Sequence, residues 1–291
     1  MKRFIKSLNK KYSNQEIETT IIDQYIKKKN FSKNNFFTDY FNKYPSIEDK
    51  KVLKRFKKNA TIDKLFNMFE IMNKDKKISG VYYTSNQIIE LMINNLVFKK
   101  TDKIIDISCG VSNFLYFIGK KMKYHNPDMK MKDIIQNNLY GIELDKRAGD
   151  LAAFALTMKA RSKQRSFLRN PIQPNICVLE NISFDTEELN EYMDKVGRDL
   201  FTHPFRTTLT QFEESDNFGS LIQPALEDVE GIRETLRSKD LSGNLFLKST
   251  HDRVLQVLHQ ADYLRQKYHV VVANPPYINK HKIKYLERDV A

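Results

Sequence analysis

Four short apolar runs, separated by helical patterns, constrain this chain more than any other feature. Residues 103–107, 139–143, 175–179 and 268–273 have the length and branched composition of buried strands, and the last contains His269-Val270-Val271-Val272-Ala273. Ser85 is placed to cap a helix whose apolar side is Ile88, Ile89, Leu91, Met92 and Leu96. Residues 114–122 read as the helix after the first strand, and 147–161, rich in alanine and free of breakers, as the helix after the second. Strands alternating with helices predict an α/β fold with a parallel sheet covered on both faces. Some 88 residues separate the third strand from the fourth, too many for one crossover helix. Stripes in 220–236 and 251–268 therefore assign about 186–265 to a helical insertion. No internal repeat is visible.

Glycine is absent before Gly80, and this leader differs in texture from the rest of the chain. Ile17, Ile21, Ile22, Tyr25 and Ile26 form one helical stripe; Leu53, Phe56, Ile62, Leu65, Phe66, Phe69 and Ile71 form another. Residues 1–79 hold 20 Lys+Arg against 9 Asp+Glu, so most of the chain's net charge of +13 sits there. Two domains are expected: a basic helical region, 1–79, and a second domain, 80–291. The charge suits a polyanion such as nucleic acid, although lysines that only solvate helices give the same count. Two cysteines and six scattered histidines offer no metal-ligand spacing. No apolar run approaches membrane-spanning length and the start lacks a signal-peptide core, so a soluble, cytoplasmic protein without a membrane partner is expected.

The strongest chemical signal is Asn274-Pro275-Pro276-Tyr277, directly after the fourth strand. The exocyclic nitrogen of adenine is a poor nucleophile because its lone pair is delocalised into the ring. Acceptors for both amino hydrogens favour a pyramidal nitrogen with its lone pair aimed at a methyl donor. The Asn274 side-chain oxygen and the Pro275 carbonyl can supply them. The two prolines fix the backbone, and the Tyr277 ring can stack on a base swung out of a duplex. A strand-terminating Pro-Pro turn is the structural alternative.

Three further elements lie upstream. Asp106-Ile107-Ser108-Cys109-Gly110-Val111-Ser112 is a strand end, a turn and a helix start, where backbone amides can approach a cofactor. Glu143, in Tyr140-Gly141-Ile142-Glu143, ends the second strand, where an acid can bind ribose hydroxyls. It lies further from Asp106 than the usual spacing of about 20 residues, which a short helix and loop around 125–131 would accommodate. A helix-capping acid before Arg147 is the alternative for Glu143. Tyr83 and Thr84, in Gly80-Val81-Tyr82-Tyr83-Thr84-Ser85, offer a ring and a hydroxyl just before a helix; an ordinary capping turn looks the same.

Together these elements resemble, in order, the amino-methyltransferases whose cofactor-binding half precedes the catalytic motif. The stretch 140–161 and the string QFEESDNFGSLIQP at 211–224 are similar to the adenine-specific methyltransferases of BREX phage-defence systems, the PglX group, with type IIG restriction-modification enzymes as near relatives. The resemblance covers roughly 60–285. It implies a Rossmann-like methyltransferase sheet that binds S-adenosylmethionine and methylates N6 of a flipped adenine in DNA. Tyr83, Thr84, Asp106, Ser108, Gly110 and Glu143 would contact the cofactor. Asn181 is the candidate beside the cofactor's adenine. Asn274, Pro275, Pro276 and Tyr277 would hold the target base.

Two departures bear on this. The family loop has a proline and a second glycine where this chain has Ile107 and Ser112, so Ser112 must crowd the loop or strain its backbone. The chain also runs only 14 residues past Tyr277, so an N-terminal fragment of a larger sheet is expected. Its fourth strand would be an open edge, and it would act with a complementary C-terminal chain or other defence-system subunits. The alternatives are an inactive remnant that only binds cofactor or DNA, and a methyltransferase for another planar amino group, such as protein glutamine or RNA guanine.

Overall fold

The computed structural model describes residues 8, 10–28, 47–59, 84–163, 167, 172–239, 241 and 244–275. The second leader stripe beyond 59, Tyr83, Pro276 and Tyr277 lie outside them. The chain divides into two compact units, one of residues 1–94, 157–173 and 274–291, the other of 95–156 and 174–273.

In the first unit, α1 (Asn14–Lys28) opens on a reciprocal capping box. The Ser13 N–H donates to Glu16 Oε2 at 2.8 Å and the Glu16 N–H to Ser13 Oγ at 3.2 Å. Its stripe of Ile17, Ile21, Ile22 and Tyr25 is buried, and α1 packs against α2 (Lys50–Asn59). Asp49 Oδ1 caps α2 by accepting from the N–H groups of Lys51 and Val52. Val52 and Phe56 turn inward, whereas Lys50, Lys51, Lys54 and Arg55 stay exposed. The third helix, α3 (Asn86–Ile93), is capped by Ser85 as its sequence predicts, and buries Ile89 and Ile93.

The second unit holds β1 (Ile104–Asp106), α4 (Asn113–His125), α5 (Met131–Asn137), β2 (Leu139–Glu143), the start of α6 (Lys146–Lys163) and β3 (Asn175–Val178). The insertion follows as α7 (Thr186–Val196), α8 (His203–Gln211), α9 (Ser215–Phe218), α10 (Val229–Arg237) and α11 (Leu245–Arg265), and β4 (Val270–Val272) closes the unit. The four strands among the described residues are parallel, in the order β3-β2-β1-β4. The helix expected around 125–131 lies later, at Met131–Asn137, because Asn126–Lys130 forms the turn.

The registers sort the two sheet faces. Ile105, Ile142 and Cys177 share one face and one core with Leu179 and the insertion's Tyr192, Phe205, Phe212, Val254 and Leu258. The other face carries Leu139, Gly141 and Glu143 under α4 and α6. There a Cβ on Gly119 of α4 would meet Leu139 at 3.0 Å, and one on Gly149 of α6 would meet Val178 at 2.5 Å. The insertion is thus the second helical layer, not an appendage. At the β1–β4 pairing Lys103 and His269 clasp reciprocally: the Lys103 N–H donates to His269 Nδ1 at 3.0 Å and the His269 N–H to the Lys103 carbonyl at 2.8 Å. Among the described residues β4 has one strand neighbour, and Val271 is 60% exposed. No described helix is long and apolar enough to cross a membrane.

Candidate active site

Parallel strands present their carboxyl ends at one edge, where α/β sites are built. β1 ends on Asp106, whose Cα pairs in register with Gly141 of β2 and Val272 of β4. Asp106 is buried, and its Oδ1 accepts from the Ser108 N–H at 3.1 Å. Burial pushes its carboxyl up to about 7, helped by the charge of Glu143 and opposed by the Ser108 bond.

The turn after β1 folds onto β2. The Cys109 N–H donates to the Ile142 carbonyl at 2.9 Å and the Ser112 N–H to the Cys109 carbonyl at 2.7 Å. The Gly110 N–H donates to Glu143 Oε2 at 2.8 Å. Glu143 Oε1 accepts from the N–H groups of Leu144 at 2.9 Å and Asp145 at 3.1 Å. Burial raises the Glu143 carboxyl while these three amide bonds oppose the rise. The capping of α6 falls instead to Asp145, whose Oδ1 accepts from Arg147 at 2.9 Å and Ala148 at 3.2 Å. Glu143 is therefore not the cap, and its carboxylate is held at the β2 terminus by backbone amides from both turns.

One feature of this loop escapes sequence reasoning. A Cβ on Gly141 would lie 2.9 Å from Cys109 Sγ and 2.7 Å from Ile176 Cδ1, so the loop can descend onto β2 only over a glycine. Cys109 is thereby a packing residue, and burial holds its thiol well above the ordinary range. Ser112 takes φ 62° and ψ 32°, the strained outcome expected where a glycine is usual. Its hydroxyl is buried beside the Cys109 thiol, a weak partner, and makes no other hydrogen bond among the described residues. No local sequence signal marks the Gly141 contact, because Cys109 and Ile176 are remote from it along the chain.

Asn181 follows β3, in a loop anchored by the buried Gln260 of α11, whose Oε1 accepts from the Glu180 N–H at 2.8 Å. The Asn181 carboxamide is engaged at both ends by Asp216: Nδ2 donates to Oδ1 at 2.7 Å and Oδ1 accepts from the backbone N–H at 2.9 Å. It clasps the insertion to the loop.

In the first unit, Asn274 and Thr84 are brought together. Asn274 Nδ2 donates to Thr84 Oγ1 at 2.7 Å, and both residues are half-buried. Asn274 stands two residues beyond the end of β4, and Pro275 holds it to an extended backbone.

The chain is similar to known DNA methyltransferases. The family model described as N-6 DNA Methylase matches residues 63–170, and that of the Eco57I restriction-modification methylase matches residues 137–290. The adenine-specific methyltransferase BrxX of Escherichia coli O9:H4 (strain HS) is 28% identical over 205 residues, 60% of this chain and 17% of the relative. The adenine-specific methyltransferase PglX of Lacticaseibacillus casei (strain Zhang) is 26% identical over 52% of this chain and 13% of its own length. The type II restriction enzyme and methyltransferase RM.BcgI of Heyndrickxia coagulans is 27% identical over 60% of this chain and 26% of its own. The chain thus spans about a quarter or less of these relatives. With a match that takes in more than half of its residues, the chain belongs to the Eco57I restriction-modification methylase family.

Proposed function

We propose that this protein is the N-terminal part of an S-adenosylmethionine-dependent DNA methyltransferase acting on N6 of adenine, in phage defence of the BREX or restriction-modification type. The observation that carries the reading is Asn274-Pro275-Pro276-Tyr277 directly after a parallel strand paired with β1. The sheet is read as Rossmann-like, with 80–291 as the methyltransferase part, 186–265 as its insertion and 1–79 as a basic region for the DNA backbone in the cytoplasm.

The chemistry of the loop fits the cofactor. Glu143 takes one backbone bond on Oε2 and two on Oε1, an orientation in which a carboxylate can also accept from ribose hydroxyls. A cationic group near Asp106 would offset the burial that raises its carboxyl. Gly110 and Ser108 supply close backbone, and the family resemblance gives Tyr83 a contact with the cofactor. Asn181 remains a candidate for the cofactor's adenine only if its clasp with Asp216 opens. When bound, S-adenosylmethionine supplies an electrophilic methyl on a positively charged sulfur.

The chain's own residues then have three duties. Asn274 Oδ1 and the Pro275 carbonyl accept the two amino hydrogens of adenine, which frees the nitrogen lone pair. Tyr277 stacks on the extruded base. With the amino hydrogens so held, the nitrogen lone pair would be presented to the methyl group that the bound cofactor would supply, and one amino proton would pass to solvent. The outer edge of β4 is the place where further strands or a complementary chain would add.

The test is methylation of plasmid DNA by the full-length protein, with a tritiated methyl donor and mapping of modified bases. N6-methyladenine at a defined sequence is expected. Label in protein or RNA, with the DNA unlabelled, would overturn the reading.

A further inference from the structure

We propose that Thr84 is a positioning residue for the catalytic carboxamide: its hydroxyl fixes which end of Asn274 faces the base. This rests on the adenine methyltransferase reading. A carboxamide has two ends of nearly equal shape and opposite hydrogen-bonding sense. Only the oxygen end can accept from the adenine amino group. An Asn turned by half a revolution about its last bond would present donors to donors, and the lone pair would stay in the ring.

Three features act against that turn. Pro275 restricts the Asn274 backbone to an extended conformation. Asn274 Nδ2 donates to Thr84 Oγ1 at 2.7 Å, which turns Oδ1 to the opposite end of the amide plane. Thr84 is itself anchored, because the next residue, Ser85, caps α3: its Oγ accepts from the Ile88 N–H at 3.4 Å and its carbonyl from the Ile89 N–H at 3.0 Å. Ile89 and Ile93 then pin α3 by burial. Threonine is suited to the task, since its branched Cβ restricts χ1 and its oxygen can accept while its proton is donated elsewhere. The family resemblance gives Thr84 to the cofactor. The geometry points to the base-reading carboxamide, 190 residues away along the chain.

The experiment has two arms, so that failure of the contact and failure of the enzymatic reading are separable. In the ¹⁵N-labelled 291-residue chain, the side-chain amide of Asn274 is assigned by its loss in Asn274→Asp. Thr84→Val should move that resonance and speed its hydrogen exchange, and Thr84→Ser should restore both. In the full-length methyltransferase, Thr84→Val should slow single-turnover methyl transfer by about tenfold or more, the scale of one lost hydrogen bond. Affinity for S-adenosylmethionine should stay unchanged, and Thr84→Ser should recover most of the rate. An Asn274 amide indifferent to Thr84→Val overturns the proposal. So does a rate loss that follows weakened cofactor affinity. If the wild-type enzyme methylates no adenine, the functional reading fails and the amide arm alone decides the contact.

Discussion

The loop around Asp106 and Glu143 and the tetrapeptide at Asn274 are built in opposite ways. Glu143 is a half-buried residue fixed by three backbone N–H groups from two turns. The Asn274 side chain is held through a side-chain hydroxyl, that of Thr84, and the residue is likewise half-buried. Bonds to backbone make Glu143 part of the fold, because removing it strands three amides. A bond to a side chain makes Asn274 an adjustable element just past the end of β4. The difference is what a binding loop and a base-engaging residue require: the first is preformed, while the second keeps its Thr84 bond on Nδ2 and engages the arriving base through Oδ1.

The largest effects should separate these two designs. Asn274→Ala should lower methyl transfer by about a hundredfold or more, as loss of an electrostatic acceptor does, with the denaturation midpoint nearly unmoved. Glu143→Ala should abolish measurable cofactor binding and also destabilise the fold, by roughly 2–3 kcal/mol for stranded amides. Calorimetry with S-adenosylmethionine, run beside urea unfolding, checks both. A Glu143→Ala protein of wild-type stability would break the comparison.

Next in size is the pH dependence of Asp106. Its folded-state carboxyl is raised to about 7 from an ordinary value of 3.8, mainly by burial. The folded state therefore holds a proton that the unfolded state releases. The stability is fully present below about pH 4 and is lost as pH rises toward 7, by up to about 1.4 kcal/mol per pH unit. Asp106→Asn, whose oxygen can still accept from Ser108, should remove this slope and be more stable than wild type above about pH 7. Urea midpoints from about pH 4 to 8 measure it, and parallel curves for the two proteins would refute the assignment. Gly141→Ala comes third. Its methyl would press on Cys109 and Ile176 and should cost about 1–3 kcal/mol, with cofactor affinity falling as the loop lifts.

Much of this design is legible in the sequence, and the boundary is physical. The four strands and the helices at 113–125 and 146–163 follow from periodicity, a property of each segment alone. The insertion also reads correctly as helical, because its stripes are local. Residues that act by remote contact do not announce themselves. Asp145, not Glu143, caps α6, and two nearby acids look alike until the backbone turns between them. The engagement of Asn181 by Asp216, the Gly141 contact and the Thr84 bond each join segments distant in sequence. Residue type signals that such positions can do chemistry; only the fold says with whom.

The smallest effect bears on how rigid the preformed loop is. Ser112 sits in the left-handed region, where a side chain costs about 1 kcal/mol relative to glycine. Its buried hydroxyl has the weakly bonding Cys109 thiol beside it, which leaves a further penalty of about 1 kcal/mol. Against this, glycine gains freedom in the unfolded chain, worth roughly 0.4–1 kcal/mol. Ser112→Gly should therefore stabilise the protein by about 1 kcal/mol, read as a shift in the urea midpoint at constant slope. Affinity for S-adenosylmethionine should be unchanged or tighter, because Glu143 and the loop amides, not the serine, hold the loop in place. A destabilised Ser112→Gly protein would mean that the Cys109 thiol is more than a weak partner. A stable one with weaker cofactor binding would assign the hydroxyl to the ligand, and the loop would then depend, like Asn274, on a side-chain contact.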